Sequence, residues 1–382
     1  QTVEVPDQNL LGVLEPNPVP AGLTGTAEVA RALAEPIGAP FLRQVVQPGE
    51  TVAIVTSDIT RPCPTAKILP PVLAELEAGG VRREDITLVF ALGSHRPHTE
   101  EEMRHLAGPD YDTLRCVDSV GDFVHLGDTR RGTPVDIFRP VAEADRRICL
   151  GNIEYHYFAG YSGGAKAIMP GVSTRAAIQA NHTMMVLPEA CAGRLEGNPL
   201  REDIEEAAAI CGVDYLVNVV LDAHKEIVKA VAGDVTAAHR AGCRFLDGLY
   251  QVSIPRRADI VVVSQGGAPK DLNLYQTQKA LDNAKHAVRP SGVVILVGSC
   301  KEGLGEATFG RWIQEAEKPS DLTDRVQRHF ELGGHKAAAI AMVLASAEVY
   351  LVSEMDPELT RKCFLEPFDT AQAALDHAFA RI

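Results

Sequence analysis

Short apolar runs alternate with stretches of helical periodicity along most of the chain. "TVAIVTSD" (51–58), "ITLVFALGSH" (86–95) and "RRICLGNIEYH" (146–156) are rich in branched aliphatic residues and end in polar or glycine-bearing residues. They predict buried strands whose chemistry sits just past their ends. "DYLVNVVLD" (214–222) is a further run of this kind. After "IPRR" (254–257) the style repeats on a smaller scale, with "ADIVVVSQG" (258–266), a helix from about 274, "SGVVILVGSC" (291–300) and "AEVYLVSE" (347–354). Strand and helix alternating in this way predict an α/β fold of βαβ units, with mostly parallel sheets flanked by helices. At 382 residues the chain exceeds the size of a single core. Two domains are therefore expected, 1–254 and a smaller, Rossmann-like 255–382, with ligands at the carboxyl ends of the strands.

Composition removes several classes of partner. Hydrophobic residues make up 46% and charged residues 23% of the chain, the balance of an ordinary globular protein. A net charge of -14 repels nucleic acid and anionic membranes. Basic residues cluster only in pairs such as Arg130-Arg131 and Arg256-Arg257, so no nucleic-acid partner is expected. No apolar run has the length of a membrane span, and "QTVEVPDQNLLGVLEPN" has neither the basic nor the apolar region of a signal peptide. A cytoplasmic protein without membrane contact is expected. Eight cysteines lie scattered with no CxxC pair, which argues against a zinc knuckle or a disulfide framework and for buried thiols.

The polar clusters follow the strands. "SDITRPCP" puts Asp58, Thr60 and Arg61 in the turn after the first strand, with prolines that stop immediate helix continuation. Such a turn can offer side chains and amides to an anion or a sugar hydroxyl, or Asp58 and Arg61 can simply pair. "GSHRPHTEEEM" places His95 at a strand end and Thr99 as the cap of a helix with an acidic first turn; His98, next to the cap, is expected to face solvent. "HYFAGYSGGAKAIMPG" (156–171) carries His156 at a strand end and Lys166 in a glycine loop. Ser173 is expected to cap the helix that follows, with His182 near its end. A lysine in such a loop is either a phosphate ligand or a covalent attachment point. The P-loop spacing is absent, because Ala165 stands where its second glycine would be; a desolvated, nucleophilic lysine remains open. The histidines match no HExxH spacing, but they supply imidazole for nickel, copper, iron or zinc, or a base near neutral pH.

In the second domain, "KDLNLYQTQKALDNA" (270–284) has Asn273 and Gln276 in capping-box spacing. Tyr275 and Lys279 then lie four apart on one helix face, beside an N-terminus that suits a carboxylate or phosphate. "GSCKEGLGEATFG" (298–310) lacks the third glycine of a dinucleotide fingerprint, and reads as a tight turn after a strand rather than a nicotinamide site.

Taken together, "DITRP", "GSHR", "HYFAGYSGGAK" with "PG" following, "NH" at 181–182, "GNPLREDIEEAA" at 197–208 and "YQTQK" resemble the lactate racemase family of nickel-pincer-nucleotide enzymes, over about residues 50–310. The resemblance implies a racemase or epimerase of 2-hydroxy acids. It implies a nickel ion held in a pyridinium-3,5-bisthiocarboxylic acid mononucleotide by a ring carbon, two sulfurs and one histidine. The position matching that histidine is His182. Lys166 matches the lysine to which one sulfur arm is covalently joined in some members, and His95 and His156 match the two acid/base residues. Asp58, Ile59, Thr60 and Arg61 match one nucleotide-binding stretch, Gln276 and Lys279 match another, and Tyr275 matches a tyrosine near the substrate. The first domain would carry cofactor and catalysis, with the second closing over them. The implied partners are a small 2-hydroxy acid and the maturation enzymes that make the cofactor.

The residue types suit that chemistry. Pulling a proton from the α-carbon of a 2-hydroxy acid would build carbanion charge beside an ionised carboxylate. Removing the hydrogen with its electron pair avoids this and calls for a cofactor to hold it. A base takes the hydroxyl proton, and the planar 2-keto acid accepts the hydrogen on either face. Two bases on separate strands suit the two hydroxyl directions of the enantiomers, and Arg61 and Lys279 are candidates to fix the carboxylate. Aromatic content of 5% offers no stacking wall, which favours a small aliphatic substrate. Two other readings stay open: a nonenzymatic carrier or sensor of the nickel cofactor, which would not need His95 and His156, and a hydrolase or lyase with a simple histidine-bound metal, which would not need Lys166.

Overall fold

The computed structural model describes every residue of the chain except Pro269. The chain divides into two compact units: Pro16–Gln251, and a second unit of Val252–Ile382 together with Gln1–Glu15. The first fifteen residues thus lie outside the unit in which an unbroken 1–254 domain would have put them. Val3 and Val5 pack against the apolar cluster of the second unit, and the Glu4 N–H donates to Gln372 Oε1 at 2.7 Å. These residues form no strand and no α-helix, so no periodicity marks where they belong.

The first unit contains β1 (Val52–Ser57), β2 (Ile86–Ala91), β3 (Arg115–Asp118), β4 (Phe123–Asp128), β5 (Pro134–Phe138), β6 (Arg146–Asn152), β7 (Tyr155–His156), β8 (Gly160–Tyr161), β9 (Tyr215–Leu221) and β10 (Ile227–Gly233). Six of them form one sheet in the order β10-β9-β6-β1-β2-β3, parallel except for the antiparallel edge pair β9/β10. Side chains alternate between faces along a strand. Val52 and Ile54 share a cluster with Val29 and Leu33 of the helix Gly25–Ala34 and with Leu69 and Leu73 of the helix Thr65–Ala78. Ala53 and Val55, pointing the other way, are buried as well. Burial on both faces is why these strands read as continuous apolar runs rather than as alternation.

The carboxyl edge of this sheet collects Asp58 after β1, His95 after β2, Asp118 at the end of β3, and His156 beyond β6. The expected 146–156 strand is in fact two strands. The sheet strand ends at Asn152, and the chain then turns into the small β7/β8 pair. Glu154 and Ser162 close that turn, each N–H donating across it at 2.8 Å, to Ser162 Oγ and to the Glu154 carbonyl.

The second unit holds β11 (Ala258–Ser264), β12 (Val288–Val297), β13 (Ala347–Val352) and β14 (Glu366–Phe368), in that order and all parallel. Ala374, Leu375 and Ala378 of the helix Ala371–Arg381 cover one face. The helix expected from about 274 comes as two short pieces, Leu274–Thr277 and Lys279–Ala284. Thr277 Oγ1 donates to the Asn273 carbonyl at 2.9 Å, a back-bond that competes with the helix ladder and bends it. Replacing Val3 and Val5 together by aspartate should destabilise the second unit by roughly 1–3 kcal/mol. Its unfolding transition should move to lower temperature with the first unit's unchanged, and an unshifted melt would contradict the packing.

Candidate functional site

One aromatic ring gathers three of the expected site residues. Phe158, buried in the β7–β8 turn, has its ring centroid 4.5 Å from that of His156 and 4.9 Å from that of His182, both edge-on, and 5.7 Å from Lys166 Nζ. His182 is the last residue of the helix Arg175–His182. Its Nδ1 lies 3.1 Å from Asn181 Oδ1; a proton there leaves the lone pair on Nε2, the form of imidazole that ligates metals. Thr174, not Ser173, caps this helix by accepting the Ala177 N–H. Ser173 is committed elsewhere, its hydroxyl donating to the Ile168 carbonyl at 2.8 Å.

The glycine loop is shaped by the protein beneath it. Gly163 and Gly164 have φ of +70° and +60°, a region that favours glycine. A Cβ on Gly163 would lie 2.4 Å from Asn218 Oδ1, and one on Gly164 2.8 Å from atoms of Arg201 and His239. Those three buried side chains hold the loop. Asn218 Oδ1 accepts the Gly164 N–H at 2.7 Å, Arg201 donates to the Tyr161 carbonyl at 3.2 Å, and His239 Nε2–H donates to the Ser162 carbonyl at 2.8 Å. Arg201 also donates to His239 Nδ1 at 3.1 Å and pairs with Glu205 at 2.7 Å. None of the three was singled out in the sequence. Asn218 did leave a signal, as the one polar residue inside an apolar strand, and Arg201 lies within the "GNPLREDIEEAA" segment.

Burial controls the charge of this group. Lys166 is held well below the usual lysine range, first by loss of water around its amine and then by the charges of Arg61 and Arg201. His156 is lowered well below the usual histidine range by burial, and further by Lys166 and Arg61. Both are thereby biased toward the uncharged form, which for Lys166 is the more nucleophilic one. His156 Nδ1 accepts the Ala159 N–H at 3.3 Å, which puts the imidazole proton on Nε2.

A second group stands at the β1 and β2 ends. His95 Nδ1 lies 2.8 Å from Asp58 Oδ2 and 3.3 Å from Thr60 Oγ1. Burial raises the Asp58 carboxyl, but hydrogen bonds from His95 and Thr60 and the charge of Arg61 outweigh it and leave it below the usual aspartate value. Arg61, exposed, acts electrostatically on both His156 and Lys166, so the two groups share one field. His98 does not face solvent. Its side chain is 1% exposed, because the Asp118 carboxylate at the end of β3 requires donors and takes both the His98 N–H at 2.7 Å and Nδ1–H at 2.6 Å.

In the second unit, Asn273 Oδ1 caps the Leu274–Thr277 turn by accepting the Gln276 N–H at 3.1 Å. Tyr275 packs edge-on to Phe309, and Lys336 Nζ sits 3.6 Å from the Tyr275 ring centroid while donating to the Tyr275 carbonyl at 2.9 Å. Lys336, buried in the helix Gly334–Leu344, carried no sequence signal. Gln276 is half-buried and Lys279 exposed. The tight turn expected after β12 is present, and a Cβ on Gly305 would strike the Asn273 side chain at 2.4 Å. Among the described residues, no helix is long and apolar enough to cross a membrane. Nor do three or more His, Cys, Asp or Glu side chains come together as a metal site.

Models of the lactate racemase N-terminal and C-terminal domains match residues 1–193 and 254–382. The chain is 32% identical over 383 residues to a lactate racemase of Thermoanaerobacterium thermosaccharolyticum, covering 95% of this chain and 88% of that one. It is 31% identical over 395 residues to a lactate racemase of Lactiplantibacillus plantarum, covering 100% and 92%. The solved lactate racemase apoprotein from Thermoanaerobacterium thermosaccharolyticum superposes with a TM-score of 0.90 at 31% identity, over 99% of this chain and 92% of that chain. A Thermotoga maritima protein with a TM-score of 0.69 and 17% identity, over 91% and 93%, shares the fold.

The lowered pKa of Lys166 predicts its reactivity. At about pH 8 in the apoprotein, a small amine reagent such as cyanate should modify Lys166 faster than exposed Lys301, because only the uncharged amine attacks. Peptide mass mapping over time reads both rates, and a slower Lys166 would contradict the lowered pKa.

Proposed function

This chain belongs to the lactate racemase family, and on that premise we propose that it interconverts the enantiomers or epimers of a small aliphatic 2-hydroxy acid, lactate or a near analogue, with a nickel-pincer nucleotide. What supports the reading above all is the gathering of His156, Lys166 and His182 around Phe158. The residues fit such a group. A neutral lysine amine suits covalent attachment to a sulfur-bearing arm, and His182 offers an imidazole ligand. Among the described residues no three His, Cys, Asp or Glu side chains gather as a metal site, and a cofactor that brings its own carbon and sulfur donors would need only the one imidazole. Lys166 and His182 would hold it, with Asp58, Ile59, Thr60 and Arg61 of the same unit assigned to its nucleotide. Loading falls to maturation enzymes, in a cytoplasmic setting.

When bound, the cofactor supplies an acceptor for the C2 hydrogen and its electron pair, so no carbanion forms beside the carboxylate. The chain's own groups handle the proton. His95, with its Nδ1–H given to Asp58, presents the Nε2 lone pair as a base, and the Asp58 carboxylate stabilises the imidazolium that forms. His156 is assigned as the other acid/base residue; it can return a proton only as the imidazolium, after taking one up, because a neutral imidazole N–H is far too weak an acid. The hydroxyl proton leaves toward one histidine, and a protonated imidazole returns it, the two residues exchanging roles between the enantiomers. Arg61, with a planar fork, is assigned to the substrate carboxylate.

His182→Ala should lose nickel from the loaded enzyme while the fold persists, and Lys166→Ala should lose any covalent mass increment. His95→Ala and His156→Ala should each lower kcat by about 10²- to 10⁴-fold with cofactor content unchanged. Metal analysis, intact mass and chiral product analysis check these outcomes. Full nickel in His182→Ala, or near-normal racemisation in either acid/base variant, would contradict the assignment.

A further inference from the structure

The Asp58–Arg61 turn is tied to the rest of the sheet edge by a buried histidine that the catalytic scheme does not use. His98 Nε2 accepts the Ile59 N–H at 3.0 Å, and its Nδ1–H donates to Asp118 Oδ1 at 2.6 Å. The two side chains are 1% and 5% exposed, and Phe90 packs edge-on to the imidazole with centroids 5.4 Å apart. Within the turn itself, the Arg61 N–H bonds the Asp58 carbonyl at 3.0 Å and the Thr60 N–H reaches Asp58 Oδ2 at 3.4 Å. The Ile59 N–H is the amide of this turn that bonds outside it. From the end of β3, a continuous chain of hydrogen bonds therefore runs from Asp118 through His98 to Ile59, and the next residue, Asp58, holds His95.

We infer that His98, oriented by Asp118, is a positioning residue for this reaction: it fixes the Asp58–Arg61 turn and, through Asp58, the ring of His95. This rests on the functional reading above. The role needs a donor at one ring position and an acceptor at the other, which is a neutral imidazole of one tautomer. A helix-flanking residue with only a structural duty would need neither. Because Asp58 is bonded to His95 at one end and continuous with the Ile59 amide at the other, a loosened turn misplaces the base without touching the ring that acts. Misplacement of about 1 Å is enough to cost on the order of 10²-fold in rate.

Two conservative variants separate positioning from folding. In His98→Asn the amide nitrogen replaces Nδ1 and keeps Asp118, but the side chain ends short of Ile59. In His98→Gln the amide oxygen reaches the place of Nε2 and can accept the Ile59 N–H. Hydrogen exchange of the Ile59 amide in the apoprotein, nickel retention in the loaded protein, and kcat and KM are measured in all three proteins. The expected result is lost Ile59 protection and a fall of about 10- to 100-fold in kcat for His98→Asn, with both largely restored in His98→Gln. Equal losses in the two variants that track a common fall in Tm, or unchanged protection and kcat in His98→Asn, would overturn the inference. Failure of the unsubstituted loaded enzyme to racemise any 2-hydroxy acid would instead overturn the functional reading. Exchange and nickel retention then still decide whether His98 holds the turn, equal values in Asn and Gln variants counting against it.

Discussion

The backbone of residues 161–164, laid directly on Arg201, Asn218 and His239, is the constraint on which the site depends. Each of those side chains bonds a different peptide group of the loop, and the two glycines leave no room for even a methyl group above them. A loop with a free path would let Lys166 swing into water and regain its charge. Clamped from below, it keeps the amine against Phe158, with His156 and His182 on the same ring. The glycines are thus spent on the fit between loop and protein, and the position of the lysine follows from that fit.

The same clamp sets the electrostatics. Arg201 is fully buried and balanced on one side by Glu205, which also takes Arg240. On the other side its field falls on Lys166 and His156 and, with that of Arg61, disfavours a second positive charge there. A buried cation held by hydrogen bonds can do this permanently, since removing it would leave Glu205 and the loop carbonyls unpaired. Burial first, and these charges after it, hold Lys166 and His156 below their usual ranges. His95, on the Asp58 carboxylate, sits in the opposite kind of environment. Two imidazoles in contrasting surroundings are what a reaction needs when one must give a proton while the other takes it.

Much of the framework was legible because burial on both faces writes itself as unbroken apolar runs. The strands at 52–57, 86–91, 215–221 and 347–352 fall within such runs, 288–297 begins three residues before its run, and 258–264 lies within an apolar run although it is a partly exposed edge strand. The carboxyl-end location of Asp58, His95 and His156 followed from the same pattern. What stayed hidden was set by long-range bonds. His98 looked like a solvent-facing neighbour of a helix cap because nothing local reveals that Asp118, twenty residues on, needs its donor. Ser173 and Thr174 are equally good caps by type, and only the Ile168 carbonyl decides between them. Gln1–Glu15 carry no periodicity to show that they belong with the far end of the chain. Arg201, Asn218, His239 and Lys336 support site residues from below, where their side chains read as ordinary helix and strand positions.

The claim that the C2 hydrogen leaves and returns with its electron pair, while His95 and His156 handle only the hydroxyl proton, is tested most directly by the fate of an isotope. Lactate deuterated at C2, incubated in ordinary water with the nickel-loaded enzyme, should yield the opposite enantiomer with deuterium retained at C2. Inversion with the label washed into solvent would show that the carbon is deprotonated by a base, and would contradict the account at its centre.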